Sequence, residues 1–569
     1  MRAPKFDTPN FGVSKVYKTL YSLLSLILIT FFTLTVSADG YYHLYHQNDR
    51  IHITANFGKH SGGNIQLYVP GNIWGTDYSW QIDNIKVKDG TYNDANGIAT
   101  IPQEQELFIE YDIVNLPKKD FTDNFGDKYY HFIDKEKFYL MGHGIFIYPD
   151  GLEKDKSEKA TVHINSDDRK IIYNIPPYYY KDPIRVSFRD LDDLVILANR
   201  NFIEFSDEAE KIRIILWSDN EALGVRINNI ARKILRQQKN FWQDEKQQQL
   251  AIFIPAPVKF NRNTWGASVI KGNIIAFINP DRNEDTELTD LVRHEGLHSW
   301  FGSHLIKGPF WFTEGFTDYY KDKIDYYFSG DSLTFLNRYN KVLLSYFSSG
   351  ITGLNDQIID DDFFKFSIVG KIPYQKGYLI AGQINSIIDL DKALKAMIKD
   401  CKLAKEQKTL EQKKQCFFTP DLLFQYAGNI SDHQKEILID LMEKFDETIL
   451  VKSFMEHDLQ HKTIQQKVPD IELRDTIING FIDGGYLHKL NNKYNPDRKY
   501  QIHNIWRYDD INKLHVEIDN GGDIEEVFLP QKMEKLEIPY YSFIIRYSLI
   551  EFPEPSLLPN AFLPLPETR

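Results

Sequence analysis

The sequence predicts a multidomain α+β protein, and three observations carry that reading. At 569 residues the chain exceeds what one hydrophobic core organises, so two to four domains are expected. Short strand-like runs fill its N-terminal third and its tail, whereas residues 333–465 carry apolar side chains at mostly helical spacing. Apolar residues make up 42% and charged residues 26% of the chain, mixed along its length, which is a folded globular composition.

Four segments follow in order. Residues 1–38 read as a secretory signal peptide: Arg2, Lys5, Lys15 and Lys18 precede an uncharged run from Thr19 to Val36, and small residues Val36 and Ala38 stand before Asp39. That order of basic, apolar and small-x-small regions predicts cleavage after Ala38 and export, to a periplasm or outside the cell. The run also approaches the length of a membrane span, so an uncleaved N-terminal anchor is the alternative. No second apolar span follows, and no stable membrane span is expected once the signal is removed. In 39–204, runs such as "RIHITANF", "LFIEYDIV", "GIFIYP" and "ATVHIN" alternate with Gly, Asp, Asn and Pro, predicting a β-sandwich-like domain. Segment 205–466 opens with the strand "EKIRIILWSD", a helix from Glu221, and the strands "QLAIFIP" and "GNIIAFINP", then becomes helical. It reads as a mixed domain with a helical second lobe. Residues 467–569 return to strands, among them "KYQIHNIWRY", "KLHVEID" and "YYSFIIRYSLI", and predict a small β-rich C-terminal region.

The net charge is −13, and no basic stripe or nucleic-acid motif is present, so nucleic acid is excluded as a partner. The acidic run "DDD" at 360–362 reads as a solvated loop, not a calcium site. Cys401 and Cys416 are the only cysteines. In an oxidising compartment they are expected to form one disulfide; the alternative is two free thiols.

The chemistry concentrates in "LVRHEGLHSWFGSHLIKGPFWFTEGFTDYY", residues 291–320. His294, Glu295 and His298 form HExxH. Asp285 or Thr286 can cap a helix there, Leu288, Leu291, Val292 and Leu297 give it an apolar side, and Gly302 can end it. Residues i and i+4 share a helix face, so both imidazoles can reach one zinc ion. Glu295, one position round, suits a general base rather than a ligand. Glu314 follows His298 after 15 residues and a turn-rich stretch, and is expected in the first turn of a returning helix. It would complete a His₂Glu set with one position open for water. Asp318, four residues on, is the carboxylate placed to take a histidine's second ring N–H.

"HEGLHSWFG" followed by "WFTEGFTDYY" resembles the HExxH…E gluzincin zinc metallopeptidases, and most of all the glycyl aminopeptidase family. The resemblance implies an N-terminal β domain, a thermolysin-like zincin catalytic domain and a C-terminal PDZ domain, although no carboxylate-binding loop is recognisable in the tail. "IPYQKGYLIAGQI" is similar to the family's tyrosine–x–Lys–Gly helix start, which implies that the Tyr374 hydroxyl stabilises the reaction's oxyanion, with Tyr378 the next candidate. It also implies a Gly-containing substrate strand, here placing Gly266 in substrate binding. Where aminopeptidase relatives carry an acid for the substrate amine, the stretch from Trp265 to Phe277 has none, only Lys271. Strict N-terminal trimming is therefore not guaranteed, and N-acetylated peptides are expected to be cut at least as well as free ones.

The reading is an exported metallopeptidase with one zinc per chain, aminopeptidase-like, acting on a peptide or protein substrate. The alternatives are an endopeptidase of the same fold, a non-catalytic exported binding protein that retains a zincin fold, and an inert protein with an accidental HExxH.

Overall fold

Strands with strict in-out alternation organise the N-terminal part of the protein, analysed as a computed structural model. The structure describes residues 39–443, apart from 74–75, 116–129, 155–157, 166–167, 176–179, 256–263, 280–284, 303–304, 348–366 and 408–415. Beyond them it describes the strands at 460–469, 486–487, 500–507, 513–519 and 524–540. The apolar run before Asp39, the "DDD" at 360–362 and the last strand-like run of the tail lie outside the described residues. Among the described residues, no helix is long and apolar enough to cross a membrane.

Gly40–Gln47 and Arg50–Lys59 bury alternate residues, Tyr42, Leu44, Ile51, Ile53, Ala55 and Phe57, on one face of a six-stranded sheet. Two four-stranded sheets close over that face, and one continuous core joins all three. "GIFIYP" is not one strand. Gly142–Gly144 forms a helical turn whose first N–H donates to Leu194 O at 2.6 Å, and only Tyr148–Pro149 pairs in a ladder.

A five-stranded sheet follows, in the order Ile203–Asp207, Ile212–Leu216, Gln249–Pro255, Asn273–Ile278, Thr264–Ile270. Its three central strands are parallel and both edges antiparallel. Helix Glu221–Trp242 makes the first parallel crossover; its N-cap Asn220 accepts from Leu223 N–H at 3.1 Å. Both faces of this sheet are covered, which is why "QLAIFIP" is apolar without alternation. Leu223, Ile227, Leu288 and Val292 pack on one side. Tyr139, Met141, Val195 and Leu197 of the N-terminal part pack on the other.

The helices Thr317–Ser329, Ser332–Phe347, Ser367–Ile387, Leu390–Gln407, Pro420–Tyr426 and Asp432–Glu443 share one aromatic-rich core with Trp300, Phe301, Trp311 and Phe312. A last five-stranded sheet joins Gln460–Pro469 to strands of the tail. Strands Ile203–Asp207 and Gln460–Pro469 straddle 204/205 and 466/467, the divisions drawn on the sequence. Several sheets and a helical lobe make the chain a multidomain α+β protein.

Cys401 and Cys416 form a disulfide. It ties helix Leu390–Gln407 to a segment in which Phe418 stacks on Phe312, with ring centroids 4.1 Å apart. The cross-link closes a sequence separation of 15. Cys401→Ser/Cys416→Ser is therefore expected to lose about 3 kcal/mol, read from the urea midpoint and slope. An unchanged midpoint would show that the bond contributes nothing.

Candidate active site

The HExxH helix runs from Thr286 to Leu297, with His298 as its C-cap still in helical geometry. The i, i+4 relation between the two histidines is therefore kept although the helix ends at the second one. Capping differs from expectation. Asp285 makes no side-chain cap bond, because its carboxylate is held by Arg226 at 2.5 Å; the helix starts instead with Thr289 N–H donating to Asp285 O at 2.8 Å.

Glu314 does not sit in the first turn of a regular helix. It lies in one wide π-type turn, Trp311–Phe316, that feeds helix Thr317–Ser329. Such turns re-aim a side chain by about one position, and here Glu314 is aimed at both histidines. His294 Nε2 and His298 Nε2 are 3.2 Å apart. Glu314 Oε2 is 3.2 Å from His294 Nε2 and 3.6 Å from His298 Nε2. Among the described residues this is the one His/Cys/Asp/Glu group compact enough to hold an ion.

The fit to zinc can be tested on these distances. A tetrahedral ion bound at about 2.0–2.1 Å has ligand atoms about 3.3–3.4 Å apart along each edge. The three observed edges, 3.2, 3.2 and 3.6 Å, bracket that value. Two nitrogens and a carboxylate oxygen form the donor set of a zinc site with a fourth position open.

The electrostatics agree with a site built for a cation. Burial alone would raise the Glu314 carboxyl, but His298 and His294 hold it far below the usual carboxylate range. Burial would lower His294, yet Asp318 at 2.8 Å from Nδ1, with Glu314, pushes it up to about 10. Asp318 also resists its burial. Lys321, at 3.1 Å, and His294 bring it down to about 2.

Glu295 is 9% exposed and has no side-chain hydrogen bond within the described protein. Tyr374 comes from helix Ser367–Ile387, with its ring centroid 5.7 Å from that of His294 and its hydroxyl hydrogen-bonded to Glu314. Burial, then Glu314, Asp318 and Glu295, keep this phenol well above its ordinary pKa, so it stays a donor. Tyr378 is spent elsewhere: its hydroxyl donates to Asp322 at 3.1 Å.

Gly266 lies in Thr264–Ile270, the edge strand against which the HExxH helix packs through Ala267, Leu288 and Val292. It has φ 145° beside an irregularity in pairing, a backbone conformation that favours glycine. Lys271 does not face the site. It sits in the hairpin turn after this strand and pairs with Asp190 and Asp193 at 2.9 and 2.7 Å.

No family model matches the chain. It is 28% identical over 131 residues to aminopeptidase B of Mus musculus and to that of Rattus norvegicus, 21% of this chain and 20% of each relative. The match thus spans about a fifth of the length of these curated relatives. The crystal structure of an aminopeptidase N family protein from Idiomarina loihiensis aligns over 87% of this chain and 96% of that one, with TM-score 0.51 and 14% identity. The fold is aminopeptidase N-like. At that identity the likeness concerns the fold alone, and it extends over both the β-rich N-terminal part and the helical lobe.

Sequence reasoning missed one feature of the site, a glycine pair. A Cβ on Gly377 would lie 1.7 Å from Trp311 O, and one on Gly315 would lie 2.3 Å from Gly377 Cα. The two backbones touch where the Tyr374 helix crosses the Glu314 turn. Gly377 stood inside the quoted tyrosine motif, but spacing alone does not reveal a contact across 62 residues.

Proposed function

We propose that the protein is an exported zinc-dependent peptidase, aminopeptidase-like in action. The observation that carries this is the convergence of His294, His298 and Glu314 at tetrahedral-edge distances beside an unpaired Glu295. The names of the relatives, aminopeptidases B and N, support peptide as the substrate class. The finer likeness to the glycyl branch rests on the motif residues alone.

Zinc would be held by His294 Nε2, His298 Nε2 and Glu314 Oε2, and when bound it supplies a nucleophile from water at neutral pH and a Lewis acid for the peptide carbonyl. Asp318 accepts from His294 Nδ1–H, which orients the ring, and Nε2 would give up its proton to face the ion. Glu295 takes the proton of the attacking water and returns it to the departing amine. Tyr374 donates its hydroxyl to the developing oxyanion, exchanging the Glu314 bond for that one.

The deciding measurement is metal content with turnover. Mature protein should carry about one zinc per chain, and His294→Ala/His298→Ala should carry none and be inactive. Stoichiometric zinc in the double variant would end this reading. It would equally end it if purified wild-type protein took up no zinc.

A second reading, endopeptidase action, is favoured by the edge strand, which offers no carboxylate to a substrate ammonium. Paired assays of free and N-acetylated peptides separate the two. Cleavage confined to free N-termini establishes the aminopeptidase. Acetylated peptides cut at least as well establish the endopeptidase.

A further inference from the structure

A cavity of about 840 Å³ lies away from the candidate zinc site; none of His294, Glu295, His298 or Glu314 lines it. Its walls are the end of helix Glu221–Trp242 with the following turn, the hairpin at Lys271–Asn273, and helix Leu390–Gln407. In a chain of net charge −13 this cavity gathers, among the described residues, six lysines against two acids, Asp244 and Glu245. Lys395, Lys399 and Lys402 stand at i, i+4 and i+7, on one face of their helix.

The charges are not all answered within the protein. Asp244 is already engaged: it accepts from Trp300 Nε1 at 2.8 Å and from Lys402, which also reaches Gln247 Oε1 at 2.7 Å. Lys271 is paired with Asp190 and Asp193. Lys395 lies over the Phe241 ring, 4.8 Å from its centroid, and burial holds it below the ordinary lysine pKa despite Asp391 and Asp389. Among the described residues, Lys246 and Lys399 have no carboxylate partner. Trp242, 2% exposed, lines the cavity as apolar wall, its indole N–H enclosed away from solvent.

We propose that this cavity binds an acidic peptide segment, with carboxylates on Lys246, Lys395 and Lys399. The volume falls in the range of ligand sites, about 300–1,000 Å³. Ile398, Leu305 and the exposed Leu403 give the walls apolar surface that suits a peptide's side chains and methylenes. Among the described lining residues there is no arginine, so the planar fork that matches phosphate bidentately is missing there. Because the site lies apart from the zinc candidates, its occupancy does not depend on the peptidase reading.

The test uses N-acetylated, C-amidated hexaglutamate, titrated into the full chain carrying Glu295→Gln so that the probe survives. Binding is read by calorimetry and by tryptophan fluorescence. Saturable one-to-one binding is expected, weakening as salt rises and at least about tenfold weaker in Lys246→Glu/Lys399→Glu. Both lysines are exposed, so that variant should keep the parent's unfolding midpoint, which is checked alongside. Hexalysine should not bind. The proposal is overturned if hexaglutamate does not saturate, if the double variant binds it equally well, or if inorganic tripolyphosphate binds at least as tightly.

Discussion

Glu295→Gln is expected to keep its zinc and lose peptide turnover by about 10³-fold, within the 10²–10⁴ range of a positioned general base. Glu295 is buried on the HExxH helix yet bonded to nothing in the described protein, so its carboxylate has no structural duty that the amide would upset. The substitution preserves shape and removes only the ability to accept a proton. Tyr374→Phe serves as the companion. It should also keep zinc, and lower kcat more than it raises KM, since its bond to the oxyanion forms mainly in the transition state. Metal analysis together with kcat and KM checks both. A Glu295→Gln protein that turns over within a few-fold of wild type would remove this residue from the chemistry. An unchanged kcat in Tyr374→Phe would leave the oxyanion without its proposed donor, because Tyr378 is committed to Asp322.

Gly377→Ala is expected to lower kcat by about 10² while the protein still folds and binds zinc, as a misplacement on the order of 1 Å does in an active site. A methyl at this position would lie 1.7 Å from Trp311 O, so the Tyr374 helix must move off the Glu314 turn. The histidines come from a different helix and keep their places. The expected stability loss is about 1–3 kcal/mol, the range for an added methyl in a tight contact. Gly315→Ala meets the same contact from the other side and should behave alike. Unimpaired kcat in both variants would mean that the close crossing does not position Tyr374.

The core of the site was legible because it is local. HExxH needs one helical turn, and Glu314 and Asp318 need one more, so residue type and spacing suffice to name them. The His294–Asp318 contact of 2.8 Å is an i, i+4 argument carried across a single reversal of the chain. Fold class was legible for a related reason: alternation along Gly40–Gln47 and unbroken apolarity along Gln249–Pro255 report which faces are covered.

What spacing could not report is the competition between distant partners. Asp285 looked like a helix cap, but Arg226, 59 residues earlier, takes its carboxylate. Lys271 looked like a possible cation at the site, but two aspartates before the strand hold it in the hairpin.

By itself, the sequence named the side chains proposed to carry chemistry here: two imidazoles, a general base and a carboxylate as third ligand, each recognisable from neighbours within a turn or two of helix. Only the tertiary structure decided that these groups meet at ligand distances, that Tyr374 rather than Tyr378 reaches them, and that Gly315 and Gly377 let the two backbones touch. The physical reason is that helix periodicity is set by each residue's own backbone, whereas the approach of two segments is set by the smallest atoms between them.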